Sequence, residues 1–399
     1  MTARLAGKRA GVARSTTVGR FAAAWLAAIG ASTWIAGPSL AAPATPAADR
    51  PATGTAVKAF EAVDKAVTDS MDRVGAQAAT VAVFVDGKIV HSRGFGWRDE
   101  AKRTPTTPDD LMRVASVSKP FTSAMVRDLV RAGKLSMDEK AFAYLGLLPA
   151  ADAKPDAKPV GAKPDAAKPD PRLGDITLRM LLAHKGGWDR ATAGDPMFKV
   201  RQIEKSLGLT RPAAPADVVR YMATQPLQFA PDEKSVYSNF GYCVLGRVIE
   251  KATGKPYADV LKERIADPLK IAGDLKLGHT SSAQRDPREV WYPIPDAMFS
   301  LDVMDAHGGI IASAPALGRF MQAYWINGEP RKPTDRKQSW TFYGSLPGTT
   351  AVVVQRADGT DFAILLNGRR DRTFEADTDA LKAAVMAALD AVPAAERKP

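Results

Sequence analysis

Residues 115–129 read ASVSKPFTSAMVRDL and predict a helix whose first turn carries a serine and a lysine. Proline is favoured in the first helical turn, so Pro120 places the start of the helix at or just before Ser116. Apolar side chains then recur at helical spacing, which predicts an amphipathic helix packed on a core. These apolar residues are Phe121, Met125 and Leu129.

Ser116 and Lys119 stand one helical turn apart, so their side chains share a face and the amine can reach the hydroxyl. The positive helix end favours negative charge at the serine, and unpaired first-turn N–H groups, including that of Ser116, can bind an oxyanion. Partial desolvation in this positive field would lower the pKa of Lys119, as a proton acceptor near neutral pH requires. A serine three residues before a lysine is expected about once by chance in a chain of this length and composition. Taken alone, the pair therefore indicates only the start of a helix.

A second motif, Tyr237-Ser238-Asn239, lies in a loop just before a helix predicted over Tyr242–Thr253, and no other Tyr-X-Asn occurs in the sequence. A tyrosine can relay a proton between nucleophile and leaving group, while an asparagine amide can bind substrate and steady the lysine. Together with Ser116 and Lys119, the motif indicates acyl transfer. Either Lys119 or Tyr237 can be the base.

Two β-hairpins are predicted, one in the N-terminal part of the chain and one in the C-terminal part. The runs Ala79–Val85 and Lys88–Gly96 are joined by Asp86-Gly87, a pair typical of tight turns in which both positions need φ above zero. The runs Thr349–Arg356 and Thr360–Asn367 flank Asp358-Gly359, and the same reasoning predicts the same turn there.

Apolar residues at helical spacing predict one helix after Val57 and another near the C-terminus. In the second helix, the residues that share a face are Leu381, Val385 and Leu389. We therefore predict an α/β fold: one antiparallel sheet flanked by N- and C-terminal helices, with an inserted helical lobe and a cleft between them. The helices expected in the middle of the chain are Ser118–Ala132, Leu178–Ala183, Ala216–Thr224, Tyr242–Thr253 and Ala316–Trp325.

The first 41 residues have the order of a cleavable secretory signal: five basic residues, an apolar run over Phe21–Ala36, and small residues ending at Ala41. A membrane anchor is the alternative, but the run is shorter than the roughly 20 apolar residues a span needs. We expect cleavage near Ala41, a periplasmic or secreted protein, and no membrane span after cleavage. The remaining predicted regions are a flexible lead-in (42–55), one large domain (56–392) containing a Lys/Pro/Asp/Ala-rich loop (149–171), and a tail (393–399).

Charge and composition exclude several function classes. Removal of the five basic leader residues lowers the formal charge from +11 to +6, and this scattered excess gives little support to nucleic-acid binding. The single cysteine, Cys243, lies in an apolar run and is expected in the core. The four histidines have no metal-ligand spacing, so we expect neither a metal nor another cofactor.

With these two motifs, the sequence resembles the serine β-lactamases and DD-peptidases, within them the class C-like branch that includes esterases. The resemblance runs from about Ala56 to Val392. It implies the β-lactamase/transpeptidase-like fold, an acyl-enzyme on Ser116, proton handling by Lys119 and Tyr237, and substrate binding by Asn239. The resemblance to this family also includes the segments 181–187, 306–309 and 344–348.

The third motif departs from this family, in which a Lys or His begins the strand that edges the cleft. The matching run here is Phe342-Tyr343-Gly344-Ser345. Gly344 and Ser345 are still expected at the substrate, with the Ser345 N–H as second oxyanion donor. Phe342 supplies no cation for a substrate carboxylate, and Arg336 and Lys337 are the nearby candidates for that role.

Two histidines near motif-like runs are interpreted as structural. His307 precedes a glycine turn that feeds a helix with Ser313 as its N-cap, and His184 stands where a short helix ends at Gly186.

The sequence therefore predicts an exported serine hydrolase of amide or ester bonds, of β-lactamase, D-alanyl-D-alanine carboxypeptidase or esterase type. Its substrate would be a small molecule or a peptidoglycan peptide. The alternative is a non-catalytic penicillin-binding-like protein whose turnover is impaired by the altered third motif.

Overall fold

A computed structural model describes residues 50–148, 169–332, 334–335, 338–393 and 395–397. Its strands are β1 (Ala52–Thr53), β2 (Ala78–Val85), β3 (Lys88–Gly96), β4 (Met112–Arg113), β5 (Leu275–Leu277), β6 (Ile310–Ala312), β7 (Trp340–Leu346), β8 (Thr349–Gln355) and β9 (Thr360–Leu366). Its α-helices are α1 (Glu61–Val74), α2 (Ser118–Arg131), α3 (Ala141–Leu145), α4 (Leu178–Leu182), α5 (Arg190–Ala193), α6 (Val200–Leu207), α7 (Pro215–Met222), α8 (Asn239–Thr253), α9 (Tyr257–Leu261), α10 (Ala314–Ala323) and α11 (Phe374–Ala391). The predicted signal and most of the Lys/Pro/Asp/Ala-rich loop lie outside the described residues.

The main sheet has six antiparallel strands in the order β1-β3-β2-β9-β8-β7. Strand β2 of the first hairpin pairs with β9 of the last, from Ala79 opposite Leu366 to Val85 opposite Thr360. Both ends of the domain therefore close one sheet, and α1 packs against α11 on its outer face. The predicted fold class is confirmed.

The sheet separates two apolar cores because successive side chains of a strand point to opposite faces. In β2, Val81 and Val83 belong to the core under α1 and α11, whereas Ala82 and Phe84 belong to the larger core of the helical lobe. Strand β7 is left at the edge of the sheet, beside the start of α2. This edge and the helical lobe form the two walls around Ser116.

The two hairpins turn differently. In the first, Asp86 has φ 50° and Gly87 has φ 86°, as predicted. In the second, the prediction is wrong for Asp358, because only Gly359 (φ 83°) has a positive φ in the described turn. The Gly359 N–H donates to the carbonyl of Arg356 (3.1 Å), and the Asp358 carboxylate accepts from the Thr360 N–H (2.9 Å). The loop therefore has four residues, 356–359, instead of the three that the predicted runs leave between them.

Parts of two stretches predicted as loops form regular structure. The end of the 42–55 lead-in forms β1, which pairs with β3. The end of the 149–171 loop is ordered by Asp170, whose carboxylate accepts from the Arg172 N–H (3.0 Å) and caps a 3₁₀ helix at Pro171–Asp175. No helix within the described ranges is long and apolar enough to span a bilayer.

Candidate active site

Ser116 lies in a 3₁₀ turn, Ala115–Val117, that runs directly into α2. Ala115 has φ 49°, a left-handed conformation that costs an L-residue about 1–2 kcal/mol. Ser116 is partly exposed, whereas its neighbours on both sides are buried. The turn therefore presents one accessible hydroxyl from an otherwise buried segment.

Both proton-handling candidates reach this hydroxyl. The phenol of Tyr237 donates to Ser116 Oγ (2.7 Å), and Lys119 Nζ lies 3.2 Å from the same oxygen. Lys119 comes from the next turn of the same helical segment, whereas Tyr237 comes from the segment that leads into α8. The structure thus brings together the three residues that the two motifs predicted.

Asn239 belongs to a helix rather than to the predicted loop. Helix α8 starts at Asn239 and not at Tyr242, because the Ser238 hydroxyl caps it by accepting from the Gly241 N–H (3.1 Å). The amide oxygen of Asn239 accepts from Lys119 Nζ at 2.7 Å.

Lys119 has a further partner that the motifs did not reveal. Its Nζ donates to the backbone carbonyl of His307 at 3.0 Å. The glycine turn after His307 leads into β6 before α10, so the prediction of a turn feeding the helix directly is wrong, although Ser313 caps α10 as predicted. Every residue type has a carbonyl, and sequence therefore carries no signal for this contact.

Burial acts in opposite directions on the two candidate bases. The side chain of Lys119 is almost fully buried, and this burial holds its pKa well below the ordinary value, although Asp195 raises it in part. Burial raises the pKa of Tyr237 far above its ordinary value. Both shifts favour the neutral pair of amine and phenol over the pair of ammonium and phenolate.

Asp195 and Arg190 are site residues that sequence reasoning missed. Asp195 Oδ2 accepts from Asn239 Nδ2 at 2.6 Å, and burial raises the Asp195 pKa while this hydrogen bond lowers it. The guanidinium carbon of Arg190 lies 5.0 Å from the centroid of the Tyr237 ring. A cavity beside Tyr237 and Asn239 is also lined by Trp188, Arg190, Asp195 and Phe240.

His184 contacts two residues of the second motif, Ser238 and Tyr237. Helix α4 ends at Leu182, and His184 itself takes the left-handed conformation (φ 58°), so the predicted end at Gly186 is wrong. Its Nδ1 accepts from the Ser238 N–H (3.1 Å), and its ring centroid lies 4.7 Å from that of Tyr237. Burial lowers the pKa of His184 to about 3, so the ring is neutral and can accept this bond.

The third-motif strand approaches the nucleophile closely. A Cβ on Gly344 would lie 2.1 Å from the carbonyl oxygen of Val114, so only glycine lets β7 lie against the Ala115–Val117 turn. Ser345 follows on the same edge strand and is partly exposed. Phe342 packs, partly buried, against the core of the helical lobe. Arg336 and Lys337 lie outside the described residues.

The described residues also bear on metal binding and on thiol chemistry. No group of three or more His, Cys, Asp or Glu side chains is placed there to hold a metal ion. Cys243 is fully buried, and burial raises the pKa of its thiol to about 12.

Comparison with known proteins gives the context for this site. The family model described as Beta-lactamase matches residues 63–382. A probable fimbrial assembly protein FimD of Dichelobacter nodosus is 33% identical over 184 residues, which are 46% of this chain and 40% of the relative. Esterase EstB of Burkholderia gladioli is 28% identical over 255 residues, which are 60% of this chain and 57% of the relative. The chain thus spans about half the length of these curated relatives.

Solved structures share the fold. A D-amino acid amidase from Ochrobactrum anthropi SV3 aligns with a TM-score of 0.62 and 20% identity, covering 84% of this chain and 99% of the amidase.

Proposed function

The chain belongs to the beta-lactamase family of serine hydrolases, and on this premise we propose that it is an exported hydrolase that forms an acyl-enzyme on Ser116. One observation carries the proposal. A partly exposed hydroxyl lies within hydrogen-bond distance of a phenol (2.7 Å) and of a buried amine (3.2 Å) whose pKa is lowered. A nucleophile, a base and an acid are what acyl transfer to serine requires.

Lys119 is the base in this proposal and Tyr237 is the acid. Neutral Lys119 takes the proton of Ser116 as Oγ attacks the acyl carbon and forms the new C–O bond. As the intermediate collapses, the bond from the acyl carbon to the leaving oxygen or nitrogen breaks, and the Tyr237 phenol gives its proton to the leaving atom. The proton on Lys119 then restores the phenol, and water hydrolyses the ester on Ser116 with the same groups.

The developing oxyanion needs two donors, and we assign these to the backbone N–H groups of Ser116 and Ser345. Ser116 stands in the first turn of its helical segment, where N–H groups lack a preceding carbonyl partner. The contact of β7 with this turn, which Gly344 permits, supports the choice of Ser345 as the second donor.

The substrate in this proposal is a neutral ester or amide rather than a carboxylate-bearing β-lactam or peptide. Phe342 stands where the family pattern has a cation, and it cannot bind a substrate carboxylate. The relatives include proteins described as an esterase and as an amidase, which supports hydrolysis of such bonds. Export, with cleavage near Ala41 and action in the periplasm or outside the cell, belongs to the proposal on the strength of the leader sequence.

The direct test compares the protein without its leader with the Ser116→Ala variant, using a chromogenic short-chain ester and a fluorescent penicillin. We expect ester turnover by the parent protein and its loss in Ser116→Ala. Ser136→Ala, a change at an exposed serine, is the matched control and retains activity. Penicillin labelling that depends on Ser116 would extend the substrates to β-lactams. Equal turnover by parent and Ser116→Ala would contradict the proposal.

A further inference from the structure

Asp195 belongs to neither sequence motif, yet it contacts the asparagine of the second one. We propose that Asp195 is a positioning residue that fixes the amide of Asn239 and thereby aims the lone pair of Lys119 at Ser116. This inference rests on the proposed function, in which Lys119 accepts the proton of Ser116.

The two ends of the Asn239 amide have different partners. Its nitrogen can only donate and its oxygen can only accept. The Asp195 carboxylate takes the nitrogen at 2.6 Å, which leaves the amide oxygen to accept from Lys119 at 2.7 Å. The reversed amide would put an oxygen against the carboxylate and a donor against the lysine. A carboxylate is therefore the group that excludes the reversed orientation.

The orientation of this amide decides where the lone pair of a neutral lysine points. A neutral amine has two N–H bonds and one lone pair in tetrahedral directions. The amide oxygen of Asn239 (2.7 Å) and the carbonyl of His307 (3.0 Å) can only accept, so they take both N–H bonds. The remaining direction leads to Ser116 Oγ at 3.2 Å, and there the lone pair meets the hydroxyl proton.

A reversed Asn239 would undo this arrangement. Its NH₂ group would donate into the lone pair of Lys119, and an N–H of the lysine would then face Ser116. The amine could no longer accept the serine proton, although the fold and the substrate pocket would be unchanged. Asp195 thus acts through Asn239 and contributes to proton transfer without touching the reacting atoms.

A second role of Asp195 provides the matched control. Its other oxygen accepts from the Met197 N–H (3.0 Å) and caps the 3₁₀ helix Pro196–Phe198. Asp189 caps α5 in the same way, by accepting from the Ala191 N–H at 2.9 Å. Asp189→Ala therefore removes a cap from the same segment and leaves the Asn239 amide in place.

The experiment measures kcat/KM for a short-chain neutral ester against pH in the parent protein, Asp195→Ala, Asp195→Asn and Asp189→Ala. For Asp195→Ala we expect the plateau to fall by about 10- to 100-fold, as for other losses of a supporting contact. The midpoint of the rising limb should also move to lower pH, because the carboxylate that raises the pKa of Lys119 is gone. The other titratable or charged groups facing Lys119 stay in all variants: Arg190, His184, His307, Tyr237 and Tyr242.

Asp195→Asn preserves shape and tests the same claim if the alanine variant does not fold. Its single carbonyl oxygen can hold the Asn239 NH₂ or the Met197 N–H, but not both, so we expect an intermediate plateau with the same shift of midpoint. Asp189→Ala should keep the plateau and midpoint of the parent.

The inference is overturned by an unchanged plateau in the Asp195 variants, by an equal fall in Asp189→Ala, or by a lower plateau with an unmoved midpoint. Failure of the proposed function would look different. The parent protein itself would then show no turnover that depends on Ser116.

Discussion

Arg331 and Lys119 are both buried basic side chains, but their surroundings differ. Two guanidinium nitrogens of Arg331 bind the carboxylate of Asp361, and both side chains are fully buried. Lys119 instead binds an amide oxygen and a backbone carbonyl, and the nearest carboxylate, Asp195, lies beyond Asn239. Arg331 thus has a carboxylate as its direct partner, whereas an amine held by neutral acceptors loses much of the reason to stay protonated. The first environment makes a structural ion pair and the second makes a titratable base.

The largest expected effect is on catalysis at Lys119. Lys119→Met removes the proton acceptor and keeps an unbranched chain, so kcat/KM for ester hydrolysis should fall by about 10³-fold or more. The free energy of unfolding should fall by only about 1–3 kcal/mol, because the amide oxygen of Asn239 and the carbonyl of His307 lose their donor. Steady-state kinetics and urea unfolding measure both. Lys185→Met, at a lysine paired with Asp232 on the surface, is the control. A fall in kcat/KM of less than tenfold in Lys119→Met would contradict the role of Lys119 as the base.

Arg331 should show the opposite pattern. Arg331→Met leaves the Asp361 carboxylate buried without its cation, so the free energy of unfolding should fall by about 3–5 kcal/mol. Catalysis by the protein that remains folded should be close to that of the parent, since Arg331 binds α10 and β9 rather than the residues around Ser116. Adding Asp361→Asn, which removes the unpaired charge and keeps an acceptor for the Arg356 N–H, should restore part of the lost stability in urea melts. Loss of turnover without loss of stability would mean that the pair is not structural.

A smaller effect is expected where β7 meets the nucleophile turn. Gly344→Ala places a Cβ 2.1 Å from the Val114 carbonyl oxygen, so the strand must move away. We expect kcat/KM to fall by about 10- to 100-fold and stability by about 1–3 kcal/mol. Gly273→Ala is the matched control, because no atom lies within 4 Å of the added Cβ. Similar kinetics for the two variants would contradict the assigned role of this strand.

The smallest effect concerns the missing cation of the third motif. Phe342→His, assayed at pH 6 where an ordinary histidine is largely protonated, should raise kcat/KM for an ester that carries a carboxylate by up to about fivefold. A neutral ester of similar size should show no such gain. No change, or a loss on both esters, would mean that Phe342 is wrongly matched to the cation position.

Sequence reasoning predicts the features that depend on neighbouring residues and misses those that depend on distant partners. The turn at Asp86-Gly87 and the cap at Ser313 were predictable because their physics acts within a few residues. The shared face of Ser116 and Lys119 follows from helix geometry alone. The role of Asp195 at the site was not predictable. The Asp-Pro pair indicates only the start of a local helix, whereas the partner of Asp195 at the site, Asn239, lies 44 positions away. The strand at Ala52–Thr53 was missed for the same reason, since its partner strand lies beyond α1.

The central claim is that burial leaves Lys119 neutral in the folded protein. It is tested most directly by ¹³C NMR titration of the lysine ε-carbons, with the signal of Lys119 assigned by its absence in Lys119→Met. We predict a signal that titrates well below the ordinary lysine pKa. A Lys119 that stays protonated until pH 10 would contradict the account.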